Sequence, residues 1–265
     1  MISDFLLALF LGFIQGLTEF LPISSSAHLQ LPELLLETKN FGLFFDIAVH
    51  GGTLAAVIFY FKNDLQELIQ AWLPWTSHRD KDQFTLGLNL MIATMPIVFV
   101  GLIFSDSIAS RDYTVEFIAW TNVIFAVFLL LAFKFSSQSK SLISMTISMA
   151  FLIGCLQALA VFPGASRSGM AITGALLIGI NLKEGSQFAF LLSIPTIIGA
   201  LILMLTKQEH VFTLDDLLIL SIGFLSSAII AFLTIKLFLQ FVERVGMTPF
   251  VLYRLGLGAV LLLLV

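Results

Sequence analysis

Residues 15–28 read QGLTEFLPISSSAH, and they lie within an apolar N-terminal segment. This short stretch holds a carboxylate, three consecutive serines and a histidine. Ionisable groups are costly at membrane depth, so those found there mark candidate functional sites. A second polar stretch, PGASRSG at residues 163–169, interrupts another apolar region about 140 residues further along the chain. We expect the two stretches to meet inside a bilayer and to form one phosphate-handling site.

The composition is that of a membrane protein. Of 265 residues, 58% are hydrophobic and only 11% are charged, whereas about 25% of the residues of soluble domains are charged. Lysine and arginine are dispersed, which argues against nucleic-acid binding. The one cysteine, Cys155, provides neither a disulfide framework nor a cysteine-based metal site, and its apolar surroundings predict a small packed residue.

Apolar segments divide the whole chain. They cover residues 3–21, 26–37, 43–61, 85–104, 114–135, 142–162, 168–180, 186–206, 215–240 and 247–265. The segments that flank each polar stretch do not form two full spans of about 20 residues. We therefore expect two re-entrant hairpins, with non-helical junctions buried in protein. The other six segments predict transmembrane helices, and residues 62–83 predict a polar loop. The first segment lacks a basic n-region, so we expect it to be retained.

The two halves of the chain are weakly similar in sequence. The alignment places residues 11–15 on 153–157, Pro22 on Pro163 after one gap, Ser25 on Ser166, and Ser26 on Arg167. Each half, about 1–136 and 141–265, holds one hairpin and three spans. An odd number of spans inverts the second half relative to the first. We predict an all-α, single-domain membrane protein with an inverted-topology repeat, six transmembrane helices and two re-entrant helical hairpins.

The distribution of lysine and arginine predicts the orientation. If the first hairpin enters from outside, the inner side receives Lys62, Arg79, Lys81, Lys134, Lys140, Lys183, Lys236 and Arg244. The outer side receives Lys39, Arg111 and Lys207. Eight basic residues inside against three outside agree with the positive-inside rule. The termini and the opening of the site are therefore expected on the outer side.

Three types of polar side chain in the first stretch are candidates for chemistry. Gln15 and Glu19 are four residues apart and share a helix face, where their oxygens are suited to a hard cation such as Mg²⁺. Ser24, Ser25 and Ser26 precede a predicted helix, a place where serines cap N–H groups and where anions bind. For Ser24 and Ser26, simple capping and substrate binding are equally supported.

Ser25 and His28 are three residues apart, and they are neighbours if that turn is helical. A hydroxyl beside an imidazole is typical of a nucleophile with its base. We predict that Ser25 attacks a phosphate with His28 assisting. The alternatives are His28 as the nucleophile, or His28 activating a metal-bound water.

Arg167 is the strongest candidate in the second stretch, because an arginine without function is rare inside a membrane. Its planar fork is suited to bidentate phosphate binding. Ser166, Ser168 and the Gly164 backbone would supply further donors in a nest-like cradle.

Ionisable residues also occur in apolar segments outside the two polar stretches. Arg254 has no polar motif around it, so we expect it to snorkel or to pair within the helix bundle. Asp46 and His50 are four residues apart near the end of a predicted span. We expect them to form an ordinary polar helix end, and membership of the site is the alternative.

The two polar stretches resemble the motifs of the undecaprenyl-diphosphate phosphatase family, the bacitracin-resistance type. The order of the apolar segments is similar over essentially the whole chain. In that family the positions of Gln15 and Glu19 hold Glu or Gln and then Glu, and are tied to metal-dependent activity. The resemblance implies an enzyme of the bacterial plasma membrane that hydrolyses undecaprenyl diphosphate to undecaprenyl phosphate and phosphate. Such an enzyme recycles the lipid carrier for cell-wall synthesis and confers bacitracin resistance.

The expected partners are a polyprenyl diphosphate lipid and the bilayer, without nucleic acid, and a homodimer is left open. A secondary transporter or lipid flippase is the main rival, because inverted repeats with broken helices are common in transporters. Transport needs binding donors only, whereas a serine and a histidine beside a carboxylate favour bond cleavage. A purely structural membrane protein would leave the buried Arg167 and Glu19 unexplained.

Overall fold

The computed structural model describes residues 2–73, 80–105, 113–205 and 213–264. Within these ranges the chain is helical. The α-helices are α1 (Ile2–Thr18), α2 (Ser25–Leu36), α3 (Leu43–Tyr60), α4 (Lys62–Trp72), α5 (Lys81–Ile103), α6 (Val115–Phe135), α7 (Ile147–Ala158), α8 (Arg167–Leu177), α9 (Leu182–Leu205), α10 (Leu214–Val245) and α11 (Thr248–Leu264). Single turns of 3-10 helix, Leu142–Ser144 and Leu159–Val161, flank α7. Arg79, Arg111 and Lys207, which we used to predict the orientation, lie outside the described residues.

Five of the described helices are long and apolar enough to cross a membrane, namely α3, α5, α6, α9 and α10. The all-helical membrane fold predicted from the sequence is thereby confirmed. The sixth predicted span corresponds to α11, which has 17 residues. At 1.5 Å per residue it is about 25 Å long, near the lower limit for a bilayer core of about 30 Å.

Three of the four helices that flank the two polar stretches are short. They have 12 residues in α2, 12 in α7 and 11 in α8, which corresponds to about 16–18 Å each. None of these three reaches across a hydrocarbon core of about 30 Å. Each pair, α1 with α2 and α7 with α8, packs together. This is the geometry expected of a hairpin whose arms return to the side from which they came.

The packing partners of the first half have counterparts in the second. Helix α1 packs on α10, and α7 packs on α5. Helix α3 likewise packs on α10, and α9 packs on α5. Helix α3 also contacts α9, and α6 contacts α11. The contacts of the two halves therefore correspond. Helix α1 is equivalent to α7, α3 to α9, α5 to α10, and α6 to α11. Each hairpin is therefore held by a long helix of the other half.

Two glycines allow the first arm of each hairpin to approach that long helix closely. A Cβ at Gly12 on α1 would overlap Ser226 and the main chain of Gly223 on α10. A Cβ at Gly154 on α7 would overlap the main chain of Ala93 on α5. Gly12 and Gly154 are the same positions that the internal sequence alignment pairs.

The structure shifts the predicted alignment of the first hairpin with the second by one residue. Ser24 and Ser166 are the N-cap residues of α2 and α8, with φ of 73° and 72°. Both pairs, Gln15 with Gln157 and Ser24 with Ser166, differ by 142 positions, so no gap is required. Ser25 therefore corresponds to Arg167 and not to Ser166. The prediction was wrong because it aligned the prolines, whereas the helix starts are equivalent.

Two further predictions were wrong. Residues 62–83, predicted as a loop, begin with the amphipathic helix α4, which buries Leu68 and Ala71 beside α5. Its Trp72 stacks on Phe84, with ring centroids 4.6 Å apart. Cys155 is exposed and not packed, because it lies on the outward face of α7.

Candidate active site

The junctions of the two hairpins are in direct contact. The Gly164 N–H donates a hydrogen bond to Ser24 Oγ at 3.1 Å, and the Ser168 hydroxyl donates to the Leu21 carbonyl at 2.9 Å. Ser24 and Ser166 both have positive φ, which costs a residue other than glycine about 1–3 kcal/mol. The packing of the junctions against each other maintains this strained backbone.

Glu19 is the centre of a cluster formed at this contact. Its side chain is buried, and it receives hydrogen bonds from three groups. Arg167 Nη2 lies 2.7 Å from Oε1, while Ser25 Oγ and Gln15 Nε2 lie 2.6 and 2.9 Å from Oε2. His50 Nε2 lies 3.9 Å from the same Oε2 atom. The structure thus brings together four residues predicted from the two stretches, and it adds His50 from α3.

Local structure explains why these side chains converge. The Glu19 N–H donates to the Gln15 carbonyl at 3.0 Å, which continues the helical face of α1 for one more residue. Ser25 and Arg167 are the first residues of α2 and α8, so each projects from a helix N-terminus at the junction. No side-chain hydrogen bond caps α2. The N-terminal turn of α2 therefore offers N–H groups and a partial positive charge to an anion.

Two buried polar atoms in the cluster have no hydrogen-bond partner, namely Arg167 Nη1 and Gln15 Oε1. A buried donor or acceptor without a partner costs about 1–3 kcal/mol. Such a cost persists in a native structure where the atom serves a ligand. Arg167 uses Nη2 to hold Glu19, whereas its buried Nη1 has no hydrogen-bond partner.

His28 has different partners from those predicted. Its Nδ1 lies 2.7 Å from the Ser24 carbonyl, which accepts a hydrogen bond and thereby assigns the proton to Nδ1. Its Nε2 then accepts from the Tyr253 hydroxyl at 2.6 Å, and the two rings stack. The Ser25 hydroxyl donates to Glu19 instead of His28. The predicted pairing of Ser25 with His28 is therefore replaced by a pairing of Ser25 with Glu19.

The other predicted substrate-binding groups take part in hairpin packing. Ser166 caps α8 by accepting from the Gly169 N–H, and Ser24 Oγ lies 3.2 Å from Ser26 Oγ. The hydrogen bonds of Gly164 and Ser168 join the two junctions, as described above. Ser26 is exposed, in contrast to the buried Ser24, Ser166 and Ser168. Substrate binding by these residues stays a prediction.

Arg254 on α11 joins both junctions and is fully buried. Nη2 donates to the carbonyls of Gly164 and Ala165 at 2.7 and 3.2 Å, and Nη1 donates to the Pro22 carbonyl at 3.3 Å. Nε donates to Asn122 Oδ1 at 2.9 Å. The prediction that Arg254 extends to the membrane surface was wrong, whereas the alternative, pairing within the helix bundle, is confirmed. These partners could not be predicted from the sequence, because most of them are main-chain carbonyls.

Asp46 and His50 differ from the ordinary helix end that we expected. His50 faces Glu19, and its Nδ1 lies 2.8 Å from the Asp46 carbonyl. Asp46 is buried, with 6% of its surface exposed. The alternative prediction, that this pair joins the site, is correct for His50.

The donor set is compatible with a magnesium ion. Among the residues that the structure describes, no group of three or more His, Cys, Asp or Glu is placed to hold a metal. Mg²⁺ is, however, often bound through one or two carboxylates, with substrate phosphates and waters as its other ligands. The unpartnered oxygen of Gln15 and the carboxylate of Glu19 would be the protein ligands of such an ion.

The helices and the cluster define an integral membrane protein with a polar centre between two broken hairpins. A family model described as bacitracin resistance protein BacA matches residues 8–260, and the chain belongs to this family. The undecaprenyl-diphosphatase of Saccharophagus degradans is 44% identical over 265 residues, which cover 99% of this chain and 98% of that protein. The undecaprenyl-diphosphatase of Teredinibacter turnerae is 43% identical, with 99% and 100% covered. That of Alcanivorax borkumensis is 44% identical, with 98% of each chain covered.

Proposed function

We propose that this protein is an undecaprenyl-diphosphatase, an integral membrane hydrolase that releases phosphate from undecaprenyl diphosphate. One observation carries the proposal: the Ser25 hydroxyl is hydrogen-bonded to the Glu19 carboxylate, beside the buried, unpartnered Nη1 of Arg167. A nucleophile, a base and a phosphate-binding cation are the parts needed for phosphoryl transfer. A transporter has no use for an activated hydroxyl, so this pairing supports the enzyme over the transporter.

In this mechanism Arg167 and the N-terminal turn of α2 bind the terminal phosphate. Ser25 Oγ attacks its phosphorus and passes its proton to Glu19. The bond between phosphorus and the bridging oxygen breaks, and its electron pair leaves with undecaprenyl phosphate. Water then hydrolyses the phosphoserine, and the proton of the water passes to an oxygen of the phosphate that is being released. Glu19 returns its proton to Ser25, and free phosphate is released.

Mg²⁺ is part of this proposal, with Gln15 and Glu19 as its protein ligands. When bound, the ion would neutralise charge on the diphosphate oxygens. His50, whose Nε2 lies 3.9 Å from Glu19 Oε2, would help to hold this carboxylate in place. The physiological setting that we propose is lipid-carrier recycling for peptidoglycan synthesis, with resistance to bacitracin as a consequence. The site opens to the outer face of the inner membrane, and assembly as a homodimer stays a prediction.

The test is phosphate release from undecaprenyl diphosphate by detergent-purified protein, with Mg²⁺ and with a chelator. The Arg167→Ala, Ser25→Ala and Glu19→Gln variants should each lose about a hundredfold or more in kcat, because each removes a group that acts on the transition state. Arg167→Lys should rescue little, because lysine lacks the planar fork.

Matched controls are Arg244→Ala and Ser221→Ala, which change exposed residues of α10. Both should release phosphate at the wild-type rate. Wild-type rates in a folded Ser25→Ala variant would remove the serine from the mechanism. No release by folded wild-type protein under either condition would refute the enzyme.

A further inference from the structure

A pocket of about 330 Å³ lies between α5 and α9. It follows α5 from Ile97 to Leu102, about 8 Å, and α9 from Thr196 to Met204, about 12 Å. Its lining residues are largely apolar, and they include Val98, Leu102, Ala160, Val161, Ala200 and Leu203.

This pocket touches both hairpins. Ser26, in the first turn of α2, and Pro163, in the second junction, contribute to its lining. Ser26 follows the candidate nucleophile Ser25 directly, and its Oγ lies 3.2 Å from that of Ser24. Pro163 precedes Gly164, whose N–H joins the junctions. The pocket therefore borders the two hairpin junctions beside the candidate active site.

Leu102 and Ala200, which line the pocket, are exposed on the described surface of the helix bundle. Because such a surface of a membrane-spanning helix faces hydrocarbon, the pocket leads from the hairpin junctions to the lipid phase. Two glycines, Gly101 and Gly199, leave the space between α5 and α9 open. A Cβ would meet no atom within 4 Å at Gly101, and only Val98 Cγ2 at 3.8 Å at Gly199.

We propose that this pocket binds the isoprene units nearest the diphosphate of the substrate, which rests on the proposed function. A volume of about 330 Å³ is at the lower end of the range for ligand pockets, so it holds only the first part of a long chain. The rest of the chain lies in the bilayer. Lipid tails are as apolar as the pocket, so little hydrophobic free energy is gained on entry. The pocket therefore aligns the chain with the active site through close packing and favours substrates whose chain is long enough to fill it.

The first experiment fills the pocket with Gly199→Leu. We compare the hydrolysis of undecaprenyl diphosphate with that of a diphosphate carrying one isoprene unit, which is too short to fill the pocket. We expect kcat/KM for the long substrate to fall at least tenfold, while that for the short substrate stays within twofold. Gly256→Leu is the matched control, because Gly256 is an α11 glycine with open space around it that does not line the pocket. It should change neither value.

Equal rates of wild-type protein and Gly199→Leu on both substrates would overturn the proposal, and so would an equal loss on both. A second measurement does not depend on turnover. In a Cys155→Ala background, Gly199→Cys is labelled with a lipid-permeable maleimide. Undecaprenyl diphosphate should protect it, the short diphosphate should not, and Gly256→Cys should be labelled in all cases. Absence of protection overturns the pocket even if the enzyme is active, and protection supports it even if hydrolysis fails.

Discussion

Arg254 provides the most direct test at the scale of single residues. Its guanidinium holds carbonyls from both junctions, so Arg254→Met would leave those of Pro22, Gly164 and Ala165 buried without this donor. Each buried carbonyl that is left without a donor costs about 1–3 kcal/mol. We expect a large drop in the thermal unfolding midpoint in detergent, together with loss of phosphate release.

Arg244→Met, at the exposed end of α10, serves as the control for the loss of one positive charge. It should unfold at the wild-type temperature. A wild-type midpoint for Arg254→Met would mean that the junctions hold each other without the arginine.

At the scale of helices, the close contacts of the hairpins with the long helices decide stability. Gly154→Ala places a methyl group against the main chain of Ala93, and the backbone of α5 cannot turn away as a side chain would. We expect a loss of about 1–3 kcal/mol in the free energy of unfolding. Gly256→Ala, whose Cβ meets open space, should instead gain up to about 1 kcal/mol from helix propensity.

Denaturant titration in mixed micelles would measure both changes. Opposite signs for the two glycines are the expected result. If Gly154→Ala is as stable as Gly256→Ala, α7 and α5 are not held in close contact as the structure has them.

Helix positions could largely be predicted from the sequence, because apolar length and interruption by proline and polar residues are local signals. The amphipathic α4 was missed although Leu65, Leu68, Ile69 and Trp72 repeat at helical spacing. Its charged residues resemble those of a loop if only the mean polarity is considered. The alignment of the two hairpins was wrong by one residue, because the backbone conformation at Ser24 and Ser166 decides where each helix begins. A single sequence does not reveal this conformation.

At the scale of the whole molecule, the orientation in the membrane can be tested with thiol labelling. Lys39, before α3, and Lys140, before α7, are both exposed and are predicted on opposite sides. In spheroplasts carrying the Cys155→Ala background, an impermeant maleimide should label Lys39→Cys. It should label Lys140→Cys only after the membrane is permeabilised. The reverse pattern would place the site on the inner side.

The site could be predicted in part, and the limit is long-range contact. Gln15, Glu19, Ser25 and Arg167 carry their signal within two short polar stretches, and they converge on one carboxylate. Tyr253, in contrast, contacts His28 across 225 positions of sequence. No pattern in one sequence indicates such a pairing. The only available signal was that Tyr253 is a polar residue in an apolar helix.

Equivalent residues of the two hairpins differ by a constant offset of 142 positions, and this also bears on how such a protein could arise. If both halves descend from one duplicated ancestor, Ser25 and Arg167 descend from the same codon. A symmetric pair of halves would present either two serines or two arginines to the centre. Glu19 has Val161 as its counterpart at the same offset, so the carboxylate too belongs to one half only. The halves therefore had to diverge before this centre could form, and fusion into a single chain ensured that each molecule received one copy of each half.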